Sequence, residues 1–282
     1  MERRVVRRSH SKFSAPDGAR LFRRSWLPRE ARRTIVLVHG LAEHSGRYDH
    51  VGAWLSTRDC AVHAYDHRGH GRSDGLRGHV RSFSELLDDL EAFLQIVRRE
   101  HPDLPLVIVG HSMGGLVTTA LLAERKPDVA CAVTSGPPLE LPEHVSASQR
   151  RVARVLRRLA PRLRMAAGLA PETLSRDPEV VRGYVEDPFV FRRVTVSLAT
   201  ELLEAVTRTA AGAANVQVPL LMLHGEADRL CSPRGSRAFH GQLRGAGHRL
   251  RIYPQLRHEI FHEPEQEQVL EDLLDWVLER EG

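Results

Sequence analysis

Leu106-Val107-Ile108-Val109-Gly110-His111-Ser112-Met113-Gly114-Gly115, continued by the apolar run Leu116 to Ala123, is the stretch that decides the fold. Leu106 to Val109 is short, β-branched and wholly apolar, as a strand buried on both faces must be. Met113 to Ala123 has the composition and spacing of a buried helix. Between them lies G-x-S-x-G. A chain that passes from strand to helix in so few residues must turn sharply, and glycine tolerates the close backbone approach this requires. The turn exposes the Ser112 hydroxyl and aims a helix amino terminus at any negative charge developing beside it. The alternative reading is a plain glycine-rich strand-to-helix turn.

Outward from this junction, strand and helix patterns alternate. On the amino-terminal side, Val5 to Phe13 and Ala19 to Leu27 flank the turn signal Ala15-Pro16-Asp17-Gly18 and read as a hairpin. Thr34 to Val38 and Ala61 to Tyr65 read as strands, Tyr48 to Thr57 as a helix, and Asp66 to Gly75 as a glycine-rich turn. Ser82 to Arg99 is an amphipathic helix with Phe83, Leu86, Leu87, Leu90, Phe93, Leu94 and Val97 on one face. On the carboxyl-terminal side, Ala130 to Val133 reads as a strand, after which the alternation stops. It resumes with strand Pro219 to Leu223, a helix near Ser236 to Leu243, strand Arg249 to Tyr253 and a last helix, Pro264 to Arg280. Such alternation predicts an α/β protein with a mostly parallel central sheet and helices on both faces. The catalytic core is expected at 1–136 and 217–282. The stretch 137–216, in which no strand pattern is visible, is expected to be a helical cap over the carboxyl ends of the strands.

A serine hydroxyl needs a base to take its proton, and imidazole suits that task near neutral pH. Hydrolases with this elbow carry nucleophile, acid and base in that chain order. After strand Pro219 to Leu223 comes His224-Gly225-Glu226-Ala227-Asp228, and after the last strand comes Gln255-Leu256-Arg257-His258-Glu259. Asp228 is the expected acid, with Glu226 its competitor on the same loop. His258 is the expected base, with His248 and His262 as weaker candidates. The oxyanion donors are expected from the backbone N–H groups of Met113 and of Leu41, in the loop after Thr34 to Val38. His258 to His262 also spells H-E-x-x-H. Zinc peptidase chemistry needs both histidines on one face of a continuous helix plus a third ligand, whereas Pro264 predicts a helix starting only there. No metal or organic cofactor is therefore expected.

Five segments then carry a resemblance: HGLAEHSGRYDHV (His39 to Val51), DHRGHGRSDGLRGHV (Asp66 to Val80), GHSMGG (Gly110 to Gly115), HGEADRLCSP (His224 to Pro233) and RHEIFHEPE (Arg257 to Glu265). The chain resembles the monoacylglycerol lipase and lysophospholipase branch of the α/β-hydrolases, in family order along nearly the whole core. The resemblance implies the triad Ser112, Asp228 and His258. It also implies that Glu43 and Arg47 organise the loop bearing the oxyanion donor and the polar end of the site, or form a structural ion pair. Asp66 is expected to fix its turn. The implied activity is hydrolysis of a monoacylglycerol through an acyl-enzyme. The alternatives are a broader carboxylesterase, lysophospholipase or thioesterase with the same triad, or a silent binding protein, which would lack a triad member. No acidic anchor for a peptidase's free amine is visible.

The resemblance does not extend over 137–216. There Ser146 to Met165 places Val152, Val155, Leu156 and Leu159 at helical spacing among seven arginines. This pattern suits contact with a membrane or lipid aggregate; the simpler expectation is a helix packing its apolar stripe on the core and solvating its arginines. Phe191 to Val206 is expected to complete the cap, its apolar residues lining an acyl tunnel or packing inward. The net charge of +5 is carried almost wholly by arginine, aromatics are 5%, and no stacking or groove-reading motif occurs, so nucleic acid is not an expected partner. Three cysteines make no disulfide framework or zinc spacing, with Cys231 expected to be buried as a small hydrophobe. The amino terminus shows no apolar signal segment. A reducing, cytoplasmic setting is the expectation.

Overall fold

The computed structural model describes residues 6–143 and 145–280. Ten strands are present among these residues: β1 (Arg7–Ser14), β2 (Arg20–Leu27), β3 (Arg33–Val38), β4 (Cys60–Tyr65), β5 (Leu106–His111), β6 (Cys131–Ser135), β7 (Arg164–Ala166), β8 (Arg193–Thr195), β9 (Leu220–Gly225) and β10 (Arg249–Tyr253). Eight of them form one sheet in the order β1-β2-β4-β3-β5-β6-β9-β10. The β1–β2 and β2–β4 pairs are antiparallel and every other pair in the sheet is parallel. The expected hairpin is thus present from Arg7; Val5, and the Met1–Arg4 stretch read as lacking a signal, lie outside the described residues.

Strand periodicity of two splits the core into two layers. In β3, Val36 and Val38 join one apolar cluster, with α2 (Ser84–Glu100), α3 (Met113–Arg125), α6 (Val196–Ala211) and Phe239 of α7 (Pro233–His240). Ile35 and Leu37 join the other, with α1 (Asp49–Ser56) and α8 (Gln266–Leu278). β3 and β5 are buried at every position, which explains why they lack the polar alternation of a half-exposed strand.

The segment between β6 and β9 crosses the loops that follow several sheet strands. The Phe191 amide donates to the Ala42 carbonyl after β3, the Thr195 amide to the Gly78 carbonyl after β4, and the Glu259 amide, after β10, to the Leu174 carbonyl. Its helices are α4 (Ala147–Leu159), α5 (Pro178–Glu186) and α6. Three departures from the sequence reading occur here. First, β7 and β8 form a small antiparallel ribbon where no strand pattern was visible, because three-residue strands are too short to show a period. Second, the Phe191 to Val206 stretch expected to complete the cap holds β8 before α6 begins, and Leu198, Ala205 and Val206 take the inward packing that was one of its two expected roles, behind α3. Third, α4 buries no residue at all. Its apolar stripe points to solvent, with Leu159 78% and Val152 57% exposed, contrary to the simpler expectation.

Candidate active site

Ser112 sits between β5 and α3 with φ 52° and ψ −119°, a strained combination for a residue with a side chain. The strain is held from both sides: the Ser112 amide donates to the Ser135 carbonyl of β6 (2.8 Å), and α3 is apolar and buried almost throughout. The elbow's glycines are steric requirements. A Cβ on Gly114 would collide with the Val38 carbonyl of β3 and the His39 carbonyl just after it, and one on Gly110 with the Gly114 carbonyl and the Thr118 hydroxyl.

β9 and β10 carry the other two groups to the same edge of the sheet. His258 Nε2 lies 2.9 Å from Ser112 Oγ, and His258 Nδ1 lies 2.7 Å from Asp228 Oδ2. Asp228 Oδ1 accepts from the Leu230 and Cys231 amides at 2.8 and 2.9 Å, and Oδ2 also faces His224 Nε2 at 3.1 Å. Desolvation raises the carboxyl pKa, but the charge and hydrogen bonds of the His258 and His224 imidazoles outweigh it and hold Asp228 well below the usual carboxylate range. His258 is pushed the other way. Burial lowers it, yet the Asp228 charge and hydrogen bond leave it above its ordinary value. With Nδ1–H donated to Asp228, Nε2 is free to accept from the serine hydroxyl.

The competitors are elsewhere. Glu226 is exposed and pairs with Arg237, His248 Nε2 faces the Arg244 carbonyl, and His262 Nε2 faces the Arg47 carbonyl. The H-E-x-x-H residues do not form the continuous helix a zinc site needs: a 3-10 turn covers only Ile260–His262. Cys231 is only partly covered by area, and desolvation together with the Asp228 charge pushes its thiol well up, against the opposing pull of the neighbouring Ser112 side chain. It is a site-lining thiol, not a residue sunk in the core. Asp66 holds its turn, accepting from the Arg72 amide (2.8 Å) and from Ser45.

The Gly40 loop comes against the serine, since a Cβ on Gly40 would stand 3.2 Å from Ser112 Cβ. The Leu41 and Met113 amides have no hydrogen-bond partner among the described residues. Glu43 Oε1 holds the loop by accepting from the Gly40 amide (2.5 Å) and the Tyr48 hydroxyl (2.7 Å). Arg47 then links Glu43 Oε2 (2.7 Å) to Glu259, which it meets through two bonds of 2.6 and 2.7 Å. All three side chains are buried. Glu259 follows His258 directly, so one ionic bridge joins the Gly40 loop to the histidine loop. Arg47 offsets the desolvation of Glu259 and holds it below the usual carboxylate range.

Sequence reasoning singled out Glu43 and Arg47 but not Glu259, although its place beside His258 and its carboxylate were in view. It also missed the walls of the cavity at Ser112: Leu169, Leu174 and Tyr184. They come from the segment where the resemblance ends, and none falls in the Phe191 to Val206 stretch expected to line a tunnel or pack inward. The cavity measures about 10 Å3, room for about one water molecule. Among the described residues, no helix is long and apolar enough to cross a membrane.

The fold and this edge-of-sheet geometry are those of the α/β-hydrolases, and the chain belongs to the Hydrolase_4 family (serine aminopeptidase, S33), which matches residues 29–265. Within it, the chain is 38% identical to the monoacylglycerol lipase of Mycolicibacterium smegmatis, over 96% of this chain and 97% of that one. It is 34% identical to the monoglyceride lipase of Mus musculus, over 94% and 88%. The crystal structure of Paleococcus ferrophilus monoacylglycerol lipase superposes with a TM-score of 0.81 at 30% identity, covering 98% of this chain and 99% of that one.

Proposed function

We propose that the protein hydrolyses the ester bond of monoacylglycerols through an acyl-enzyme formed on Ser112. The protein is a carboxylic ester hydrolase; the names of its relatives support the substrate class. The observation that carries the mechanism is the unbroken run from Ser112 Oγ through His258 to Asp228 at 2.9 and 2.7 Å. His258 Nε2 takes the hydroxyl proton as Oγ bonds to the ester carbonyl carbon. The oxyanion is received by the Leu41 and Met113 amides at the head of α3. His258 then returns the proton to glycerol as the ester bond breaks. Water, deprotonated by the same imidazole, releases the fatty acid and restores Ser112. A peptidase role is not favoured, because Glu43 and Glu259, the carboxylates lining the cavity, are both bound to Arg47, Glu43 also accepts from the Gly40 amide and the Tyr48 hydroxyl, and neither is left as an anchor for a substrate amine.

Residues 1–136 and 217–282 form the catalytic core in this reading, and 137–216 the cap. Leu169, Leu174 and Tyr184 close the cavity, so an acyl chain enters only after they move aside. The cap also meets the lipid aggregate that supplies the ester, through the exposed stripe of α4. Cys60, Cys131 and Cys231 as thiols suit a reducing compartment, and we place the enzyme in the cytoplasm. The test is fluorophosphonate labelling of the native chain alongside fatty-acid release from a chain-length series of monoacylglycerols, lysophospholipids and simple esters. Ser112→Ala abolishes labelling and lowers kcat by about a millionfold; retained labelling or turnover in that variant overturns the mechanism. Faster turnover of lysophospholipids than monoacylglycerols overturns the substrate class alone.

A further inference from the structure

Helix α4 is mounted in reverse for a protein in water. With 100° per residue, Arg150, Ala153, Arg154 and Arg157 share one face, and these are the helix positions nearest the body. Arg154 pairs with Glu204 (2.8 Å), and Arg157 with Glu201 (2.5 Å) and the Arg81 carbonyl (2.9 Å). Val152, Val155, Leu156 and Leu159 share the opposite face and point straight out. Of the nine large apolar side chains that stand exposed among the described residues, six lie between Val152 and Met165. Hydrophobic burial therefore does not hold α4 on the protein; ion pairs to α6 do.

Beside the outward stripe runs a groove of about 630 Å3, lined by Arg81, Arg154, Arg157, Arg158 and Arg162, with Glu204 as its one carboxylate. Arg81 is matched by Glu85 and Asp17, and Arg154 and Arg157 by α6. Arg158 and Arg162 have no acidic partner among the described residues. The Arg162 charge is felt nearby: together with burial it holds His79, also on the groove wall, below its usual value. Arg158 is one turn from both Val155 and Arg154, so the unpaired charge borders the apolar stripe.

We propose that this groove is a binding site for the phosphate headgroup of an anionic phospholipid, with Val152, Val155, Leu156 and Leu159 entering the acyl layer beside it. The proposal rests on the reading that the cap meets a lipid surface and names what it meets there. A guanidinium pair supplies the planar donors that phosphate oxygens accept. An apolar stripe next to those donors matches a bilayer's two layers and has no counterpart on a nucleic acid, whose charged surface gives valine and leucine nothing to enter. The docked face also leads to the chemistry: four residues beyond Met165 is Leu169, one wall of the Ser112 cavity.

The full chain is sedimented with phosphatidylcholine vesicles and with vesicles in which about a third of the lipid is phosphatidylglycerol, an anionic fraction large enough to attract basic segments. Binding is expected to favour the anionic vesicles strongly and to fall with salt. Arg158→Gln with Arg162→Gln is expected to weaken it about thirtyfold, about fivefold per arginine, while Leu159→Asp weakens binding to both vesicles. All three substitutions are at exposed positions, and unchanged melting temperatures verify folding. Equal binding to both vesicles, unaffected by the double arginine variant, overturns the headgroup site and leaves the lipid-surface reading standing. No binding to either vesicle overturns both. Displacement from anionic vesicles by soluble glycerol phosphate at concentrations too low to act as salt, or equally tight binding of an oligonucleotide, overturns the assignment to lipid.

Discussion

Two helices of this protein begin behind a serine, and they use it in opposite ways. Behind Ser146, α4 is closed by a capping box: the serine side chain accepts from the Gln149 amide, and the Gln149 side chain accepts from the Ser146 amide. Behind Ser112, α3 has no side-chain cap. Its serine is twisted to positive φ and its hydroxyl faces His258, which leaves the first amides of the helix without a side-chain acceptor. α3 can forgo the cap because tertiary burial holds it on nearly every side, whereas α4 buries nothing and depends on local bonds and ion pairs. The contrast teaches where this chain gets its rigidity. Strain at a nucleophile is sustained by a packed core, and a helix meant for another surface keeps its own ends satisfied.

The sharpest way to break the contrast is at the group that keeps Ser112 turned toward chemistry. Asp228→Asn preserves shape but removes the charge that fixes the His258 tautomer, and kcat is expected to fall about ten-thousandfold with little change in melting temperature. A loss below tenfold, measured by stopped assays on a soluble ester, would show that Asp228 does not orient the imidazole.

Next in size is the bridge beneath the site. Arg47 is 7% exposed and faces two carboxylates that are 3% exposed. Arg47→Met leaves both charges buried and unpaired, and urea denaturation is expected to show a loss of about 3–5 kcal/mol. An exposed pair such as Arg182–Glu179 would contribute about 0–1 kcal/mol. A loss of that smaller size for Arg47→Met would mean the bridge is open to water.

The core also carries an acid-sensitive element that the described cap lacks. Burial holds His63, His70 and His111 at about 3, and His262 at about 4. Each is neutral in the folded chain and takes up a proton on unfolding once the pH drops below the ordinary value of about 6.5. The unfolded state then binds more protons, so stability falls as pH falls, from about 6.5 to the folded values. At pH 5 the expected loss is about 2 kcal/mol per histidine, seen as a lower urea midpoint than at pH 7. A midpoint independent of pH over that range would mean these imidazoles are already solvated.

The fold was legible because its central strands are buried and largely apolar and its helices amphipathic, so Leu106 to Val109 and Ser82 to Arg99 could hardly be read otherwise. The placement of Asp228 and His258 was legible for a related reason: each follows a strand whose carboxyl end is fixed by the sheet. Glu259 was not, since a carboxylate at that position looks like any surface acid until Arg47, 212 residues away in sequence, is seen to meet it. Leu169, Leu174 and Tyr184 were not legible either, because the first two lie in irregular chain and the third on the short helix α5, of which it is the one buried residue. The orientation of α4 was misread for a deeper reason. Periodicity reports that a helix has an apolar face, and only the neighbours decide whether that face turns in or out.

The smallest expected effect is therefore the most telling about α4. Leu121 of α3 is fully buried, and Leu121→Ala should cost about 2–5 kcal/mol by leaving a cavity among its neighbours. Leu159 is 78% exposed, so Leu159→Ala removes no packed contact and leaves no cavity. Alanine is also at least as good a helix former, and the substitution should change stability by less than about 0.5 kcal/mol. A loss near that of Leu121→Ala, in dilute protein free of lipid, would show that the stripe is buried in solution against the core or a second chain. The apolar face of α4 would then belong to the folded protein itself, and the distinction between the two helices would collapse.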